Sequence, residues 1–394
     1  MKQRNNIVTL CSQTHLIPIL MAVSRTLFKD IKKALINEKN NYTSMERSRL
    51  MVLCNMIYSC LVTQNCSIQK MGEHVSKVNK KNSETGVKQV KRWLQSKYSD
   101  YNLHFFTYLA PLLVILAAKG ELVLVIDGSE TGKNCISLLI SVVYGKRAIP
   151  ICWVTRKGKK GHFPQEMHTD LVQKVALLLA DTIPTTRVVF LGDGEFDGSK
   201  LLELLQNLGW EFVLRTSLDR KISADGTLNG EKIEMRNIGL LPVANYGWIP
   251  NAIGAYNAVL WKEQAYDAPI PLLTNLELAE MACSYYKRRF SIETLFKDFK
   301  SSGFQIHKTK VATPEMIANL LIVVCLCFLL CFALGVSVQR RKELKLFCRH
   351  DRVKDLSYFA MGKKCLSHLI DMGTSINKFN KTLFSFLLII NELE

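Results

Sequence analysis

The chain has 394 residues, enough to bury a substantial core in two or three structural units. It carries 52 Lys and Arg against 34 Asp and Glu, a formal net charge of +18. The first 100 residues hold 17 basic and 6 acidic side chains, a local charge of +11, so the excess is uneven. A basic bias of this kind favours a polyanionic partner, nucleic acid ahead of a membrane, over a merely solubilising surface.

Residues 1–119 are predicted to form helices. The apolar pattern places them at residues 23–35, 47–62, 67–75, 83–96 and 104–118. The third and fourth, separated by a polar turn, resemble a helix-turn-helix whose second helix carries Lys88, Lys91 and Arg92. Sequence-specific recognition and non-specific contact with DNA phosphates both stay open, and the second needs only the positive charge.

From residue 120 the apolar pattern changes to that of strands. Five strands are predicted, over residues 122–126, 136–144, 148–154, 188–191 and 212–214, with helices over residues 165–180 and 199–207. This is an α/β order with parallel pairing for the later strands. The first and fourth strands are predicted to end at Asp127 and Asp193. Open α/β sheets place their sites at such carboxyl ends, although a single Asp there more often caps a turn.

Residues 286–300 contain no Pro or Gly, and their pattern predicts one helix. One face presents a single carboxylate among cations and a tyrosine: Tyr286, Arg289, Glu293, Lys297 and Lys300. The other face, with Ile292, Phe296 and Phe299, can be buried. The polar face is either an ordinary solvated one with ion pairs four residues apart, or part of a site with Asp127 and Asp193. Three carboxylates of this kind suit a pair of Mg²⁺ ions.

These residues resemble a known family. Tyr286, Arg289, Glu293 and Lys300 match the Y-x2-R-x3-E-x6-K signature of the insertion-sequence-four type of DDE transposases, which are bacterial enzymes. Residues 160–164 and 191–198 are also similar to that family, and the resemblance is strongest over residues 120–310. It implies an α/β fold with a ribonuclease-H-like catalytic core in which the first and fourth strands are neighbours. Asp127 and Asp193 then converge.

The resemblance also implies a function. It predicts cut-and-paste transposition, in which Asp127, Asp193 and Glu293 hold two Mg²⁺ ions, with Mn²⁺ as a substitute, for strand cleavage and strand transfer. Tyr286, Arg289 and Lys300 then position the cleaved strand. The implied partner is double-stranded DNA, from transposon ends and target, bound by a homodimer at the bacterial nucleoid, without a membrane. Gly-Glu follows the second Asp where many relatives have Arg-Gly, so Glu195 is a rival metal ligand.

Five regions are expected. They are a helical DNA-binding region at 1–119, a core at 120–216 and 277–339, a β-rich insertion at 217–276, and a basic helical tail at 340–394. In hairpin-forming relatives an insertion-domain Trp accepts a flipped base, so Trp248 and Trp261 are base-stacking candidates, although such a Trp is more often core.

A basic loop follows the third predicted strand. Lys159, Lys160 and His162 lie in it, and glycines at 158 and 161 loosen it. The loop is either an exposed hairpin tip or a contact for DNA phosphates near the carboxylates.

Two further classes stay open. One is a non-catalytic DNA-binding protein derived from a transposase. The other is a membrane protein built on the apolar residues 320–336, whose 17 residues are the lower limit for a span. The helix-start pattern at 313–315 favours a buried core helix instead. The twelve cysteines include no Cys-x-x-Cys pair and predict a reduced, cytosolic protein without a disulfide framework.

Overall fold

The computed structural model describes residues 16–36, 40–159, 163–241, 244–263, 266–339 and 356–375. These residues fall into two compact units, a helical unit within Met1–Thr63 and Cys327–Ser385 and a second unit within Gln64–Leu326. In the described ranges the α-helices are α1 (Leu16–Leu35), α2 (Ser44–Thr63), α3 (Ile68–Val78), α4 (Ser83–Leu94), α5 (Thr107–Ala117), α6 (Gln165–Thr182), α7 (Ser199–Asn207), α8 (Ala279–Arg288), α9 (Ser291–Phe299), α10 (Pro314–Gln339) and α11 (Tyr358–Met372). The strands are β1 (Glu121–Gly132), β2 (Cys135–Tyr144), β3 (Arg147–Lys157), β4 (Arg187–Gly192), β5 (Glu211–Arg215), β6 (Lys221–Ser223), β7 (Lys232–Glu234), β8 (Tyr246–Ile253), β9 (Tyr256–Trp261) and β10 (Ile270–Thr274).

The helical unit contains α1, α2, α11 and the second half of α10. The rings of Phe28 on α1 and Tyr58 on α2 meet edge to face, 5.8 Å apart. Helices α10 and α11 touch through their backbones, because a Cβ on Gly362 would overlap the carbonyl oxygen of Cys331. This contact requires glycine at position 362.

Helix α10 is long and apolar enough to cross a membrane, with a mean hydropathy of 3.0 in its most apolar window. Yet 94% of that window is buried inside the protein, as expected for a core helix. The cysteines in the described part of the chain are buried free thiols.

In the second unit, α3 and α4 form the predicted helical pair. A Cβ on Gly86 would overlap the carbonyl oxygen of Gly72, so the two backbones are in direct contact. The hydroxyl of Ser76 donates to the carbonyl of Asn82 at 2.8 Å and accepts from the Gly86 amide at 2.9 Å. The turn between the helices is therefore fixed by hydrogen bonds as well as by packing.

An eight-stranded mixed sheet carries the rest of this unit, in the order β3-β2-β1-β4-β5-β10-β9-β8. Strands β1 and β4 are parallel neighbours, as the sequence predicts. Their apolar residues are buried, including Leu124, Ile126 and Phe190 at 0% exposure. Strand order therefore brings the residues that follow the last β1–β4 pair next to each other.

The predicted end of the first strand is wrong. Strand β1 continues past Asp127 to Gly132 and pairs with β2 along this extension, up to a tight turn at which Asn134 has a φ of +57°. Only the parallel pairing with β4 stops early, at Val125 and Leu191. Asp127 thus marks the end of the β1–β4 pairing, while the strand itself goes on.

The predicted hairpins of residues 217–276 are present. Strands β6 and β7 form a small separate sheet, whereas β8 and β9 form a hairpin within the large sheet. Strand β10 pairs antiparallel with both β5 and β9, so it joins this hairpin to the five strands before it. The segment therefore extends the sheet that carries Asp127 and Asp193.

Candidate active site

Two carboxylates lie where β1 and β4 part. Asp127 and Asp193 are each two residues beyond the last β1–β4 pair, Val125 and Leu191. One oxygen of each is held by the backbone: the Gly128 amide donates to Asp127 at 2.7 Å, and the Glu195 amide donates to Asp193 at 3.0 Å. Asp127 and Asp193 thus hold matching positions on neighbouring strands, just beyond the β1–β4 pairing.

Electrostatics couple the two groups. The pKa of Asp127 is raised to about 7, mainly by burial and next by the negative charge of Asp193, with a smaller contribution from Glu293. Arg289 and the amide of Gly128 act in the opposite direction. The three carboxylates therefore interact electrostatically. A neighbouring cation stabilises the ionised form of Asp127.

Arg289 supplies part of that positive charge. Its Nη1 lies 3.6 Å from Oδ2 of Asp127, and its Nη2 donates to Oε1 of Glu293 at 2.7 Å. The guanidinium lies 5.8 Å from the ring centre of Tyr286 and 4.7 Å from that of Phe290. Arg289 is only 7% exposed, and a cation at this depth depends on its ionic partners.

The predicted single helix over residues 286–300 is interrupted. Helix α8 ends at Arg288, and α9 begins at Ser291. Across the break the Arg289 amide donates to the Tyr286 carbonyl at 3.0 Å, three residues back where an α-helix would use four. The buried side chain of Arg289 lies at this break.

The two faces predicted for this segment have different outcomes. The apolar face is confirmed, because Ile292, Phe296 and Phe299 are all buried. The interpretation of the polar face as an ordinary solvent-exposed surface is wrong for Tyr286, which is 1% exposed, and for Arg289. It fits Glu293, whose side chain is 55% exposed, and Lys297, which is also exposed.

Lys300 reaches β1 from the end of α9. Its ammonium donates to the hydroxyl of Ser129 at 2.7 Å, and burial lowers its pKa. Both residues line a cleft of about 270 Å³ that is also lined by Gly128, Glu130, Ile136, Lys159, Phe163 and Glu195. Ser129 is not among the site residues predicted from the sequence. It could have been found from its two-residue spacing from Asp127, because side chains two residues apart on a continuing strand lie on one face.

The side chain of Glu195, the rival metal ligand, contacts Phe163 and His168. Its Oε1 accepts a hydrogen bond from the Phe163 amide and lies 3.4 Å from Nε2 of His168. Lys159, from the basic loop, lines the cleft, whereas Lys160 and His162 lie outside the described residues.

The other candidate DNA contacts differ in exposure. Lys88, Lys91 and Arg92 are all exposed on α4. Trp261 is buried, with the ammonium of Lys287 5.2 Å from its ring centre, whereas Trp248 is half-buried on β8. Trp248 is therefore the more accessible of the two aromatic candidates.

The donor set suits a hard divalent cation. Asp127, Asp193 and Glu293 offer carboxylate oxygens, the ligands that Mg²⁺ prefers, and their shared field raises the pKa of Asp127. In the described residues no three His, Cys, Asp or Glu side chains are already arranged around a common metal position. Arg289 instead pairs with Asp127 and Glu293.

Comparison with known proteins gives one family. Residues 172–330 match the family model of the transposase DDE domain. The matched stretch includes Asp193 and Glu293 and begins after Asp127. No curated protein matches the chain.

Proposed function

We propose that the chain is a transposase of the insertion-sequence-four type, which binds the ends of an insertion sequence and catalyses DNA strand cleavage and strand transfer. One observation carries the proposal: Asp127, Asp193 and Glu293 share one electrostatic site with Arg289. The similarity of residues 172–330 to the transposase DDE domain supports it. So does the spacing of Tyr286, Arg289, Glu293 and Lys300, which matches the signature of that type.

The strand order supports a ribonuclease-H-like core. Strands β3-β2-β1-β4-β5 place the first and fourth strands side by side, and β10, β9 and β8 extend the same sheet. We assign the core to residues 120–216 and 277–339, the β-rich insertion to 217–276, DNA binding to 1–119 and a basic tail to 340–394. Lys88, Lys91 and Arg92 are exposed on α4 and would contact phosphates of double-stranded DNA, which a homodimer would bind.

Asp127, Asp193 and Glu293 would hold two Mg²⁺ ions. Once bound, the ions would activate a water molecule or a 3′-hydroxyl of the DNA as the nucleophile and would stabilise the charge that develops on the phosphodiester. To serve as a ligand Asp127 must be ionised, which its raised pKa opposes when no added cation is present.

The chain's own cations would orient the DNA. Arg289, clamped between Tyr286 and Phe290, can donate to oxygens of the scissile phosphate with little loss of side-chain freedom. Lys300 and Lys159 line the adjoining cleft and would hold neighbouring phosphates. Trp248 is the proposed stacking surface for an unpaired base.

The test uses the full-length protein and the DNA that flanks its gene, which should carry inverted repeats. We expect Mg²⁺-dependent cleavage at those repeats and none with Asp127→Asn, Asp193→Asn or Glu293→Gln, although each variant should still bind the DNA. Each substitution removes a charged ligand with little change in volume. If the unmodified protein binds these ends but never cleaves them with Mg²⁺ or Mn²⁺, it is a non-catalytic DNA-binding protein.

A further inference from the structure

Glu195 lies two residues after Asp193, yet its side chain contacts a different part of the chain. Its Oε1 accepts a hydrogen bond from the backbone amide of Phe163. The same oxygen lies 3.4 Å from Nε2 of His168, on the first turn of α6. His168 is 2% exposed, and its ring lies 4.8 Å from that of Phe196. The carboxylate is therefore held between a backbone N–H group and a buried imidazole.

Phe163 in turn packs on the strand that carries the first carboxylate. A Cβ on Gly128 would lie only 2.5 Å from Cε2 of Phe163, so the ring rests directly on the backbone after Asp127. The guanidinium of Arg156, at the end of β3, lies 5.2 Å from the centre of the same ring. Phe163 thus contacts a residue close in sequence to each proposed ligand. These are Gly128, one residue after Asp127, and Glu195, two residues after Asp193.

We propose that Glu195 is a positioning residue: it anchors Phe163, and through it the basic residues Arg156 and Lys159, beside the carboxylates. This inference rests on the proposed function for its effect on DNA cleavage. Lys159, Phe163 and Glu195 line one cleft with Lys300, so a displaced Phe163 would move one wall of the cleft together with Lys159. The anchored arrangement presents Lys159 and Lys300 together to the phosphates of a bound strand.

The proposal competes with the reading of Glu195 as a metal ligand, and amide chemistry separates the two. Glutamine keeps the size of glutamate and an oxygen that can accept from the Phe163 amide, but it lacks the negative charge that a Mg²⁺ ligand supplies. A positioning role therefore survives Glu195→Gln and fails in Glu195→Ala. A ligand role fails in both, as it does in Asp193→Asn.

The experiment compares the full-length protein with Glu195→Gln, Glu195→Ala and Asp193→Asn in two assays. The first is limited digestion with trypsin, with mass spectrometry to measure cutting after Arg156, Lys157 and Lys159. The second is Mg²⁺-dependent cleavage of the DNA flanking the gene. In Glu195→Ala we expect tryptic cutting at these sites to rise by about tenfold, and DNA cleavage to fall by about tenfold to 100-fold. We expect Glu195→Gln to stay within about threefold of the unmodified protein in both assays.

Asp193→Asn should lose DNA cleavage while its tryptic pattern stays unchanged, which separates loss of a ligand from loss of the anchor. If Glu195→Gln behaves like Asp193→Asn, Glu195 is a ligand and the proposal fails. It also fails if tryptic cutting of Glu195→Ala is unchanged. If Glu195→Ala does not fold, Phe163→Ala replaces it, since it removes the ring from Gly128, and its cutting should rise in the same way. If the unmodified protein cleaves no DNA, the proposed function fails, while the tryptic assay still decides the anchoring.

Discussion

The two ends of the β1–β4 pair carry similar side chains but differ in charge balance. At the amino end, Arg187 on β4 lies 2.8 Å from Glu121 on β1 and 2.9 Å from Glu211 on β5. Arg288 lies 3.3 Å from Glu121, so two cations face two carboxylates. At the carboxyl end, the described residues place the guanidinium of Arg289 beside three carboxylates, Asp127, Asp193 and Glu293.

Helix α8 and the residue after it contribute to both ends. Tyr285 donates to Glu121 at 2.6 Å, while its neighbour Tyr286 packs against Arg289. The amino end is neutral without any added ion and serves to join β1, β4, β5 and α8. Among the described residues, the carboxyl end has more carboxylates than cations, and this negative charge costs stability unless a further cation binds there. Charge balance, more than residue type, separates the joining end from the candidate site.

The largest effect is expected from removing the arginine at each end in turn. Arg289→Ala should lower the rate of Mg²⁺-dependent DNA cleavage by about 100-fold or more, because a clamped donor to the reacting phosphate is lost. Arg187→Ala should leave cleavage unchanged and cost about 0.2–1 kcal/mol of stability for each exposed ion pair that it breaks. Cleavage kinetics below the melting temperature of both variants, read beside thermal melts, measure the two effects.

If Arg187→Ala and Arg289→Ala lose cleavage equally, the two ends of the β1–β4 pair do not differ in their role in catalysis. Normal cleavage by Arg289→Ala with a lowered melting temperature would limit that residue to a structural ion-pair role.

The second prediction uses the pH dependence of stability. Because the pKa of Asp127 is raised to about 7 in the folded protein, its ionisation opposes folding. The stability it contributes is complete below pH about 4 and is lost as the pH rises through about 7. Asp127→Asn should therefore melt at a higher temperature than the unmodified protein at pH 8, and the difference should disappear near pH 4.

Added Mg²⁺ at pH 8 should stabilise the unmodified protein and have less effect on Asp127→Asn. Glu121→Gln, at the neutral end, is the control and should lower the melting temperature at pH 8, because it weakens ion pairs. A variant Asp127→Asn that is less stable than the unmodified protein at pH 8 would mean that Arg289 already balances the charge of Asp127.

Much of the carboxyl end could be predicted from the sequence. Strand residues such as Val123 and Phe190 are apolar and β-branched or aromatic, so their runs indicate buried strands, and the residues that follow mark a sheet edge. The buried face of α9 follows in the same way from its helical period. These are local patterns, and the fold preserves them.

The rest depended on contacts between distant parts of the chain. Strand β1 continues past Asp127 because it pairs with β2, which lies later in the chain. The position of Glu195 depends on Phe163, 32 residues earlier. The charge-neutral cluster at the amino end could not be predicted, because Glu121, Arg187 and Glu211 are isolated charges in the sequence. Only strand register brings them together.

The smallest predicted effect concerns Ser129, which the continuation of β1 places beside Lys300. Its hydroxyl accepts from the Lys300 ammonium at 2.7 Å, so it fixes a cation that lines the cleft. Ser129→Ala should slow DNA cleavage by about threefold to tenfold, the effect of losing one hydrogen bond of roughly 0.5–1.5 kcal/mol. Ser129→Thr keeps the hydroxyl and should restore most of the rate, whereas Lys300→Ala should lose more than Ser129→Ala. If Ser129→Ala cleaves as slowly as Lys300→Ala, the hydroxyl itself contacts the DNA. If Ser129→Ala cleaves at the normal rate, other contacts position Lys300. The attraction of its ammonium to the carboxylates at this end is then sufficient.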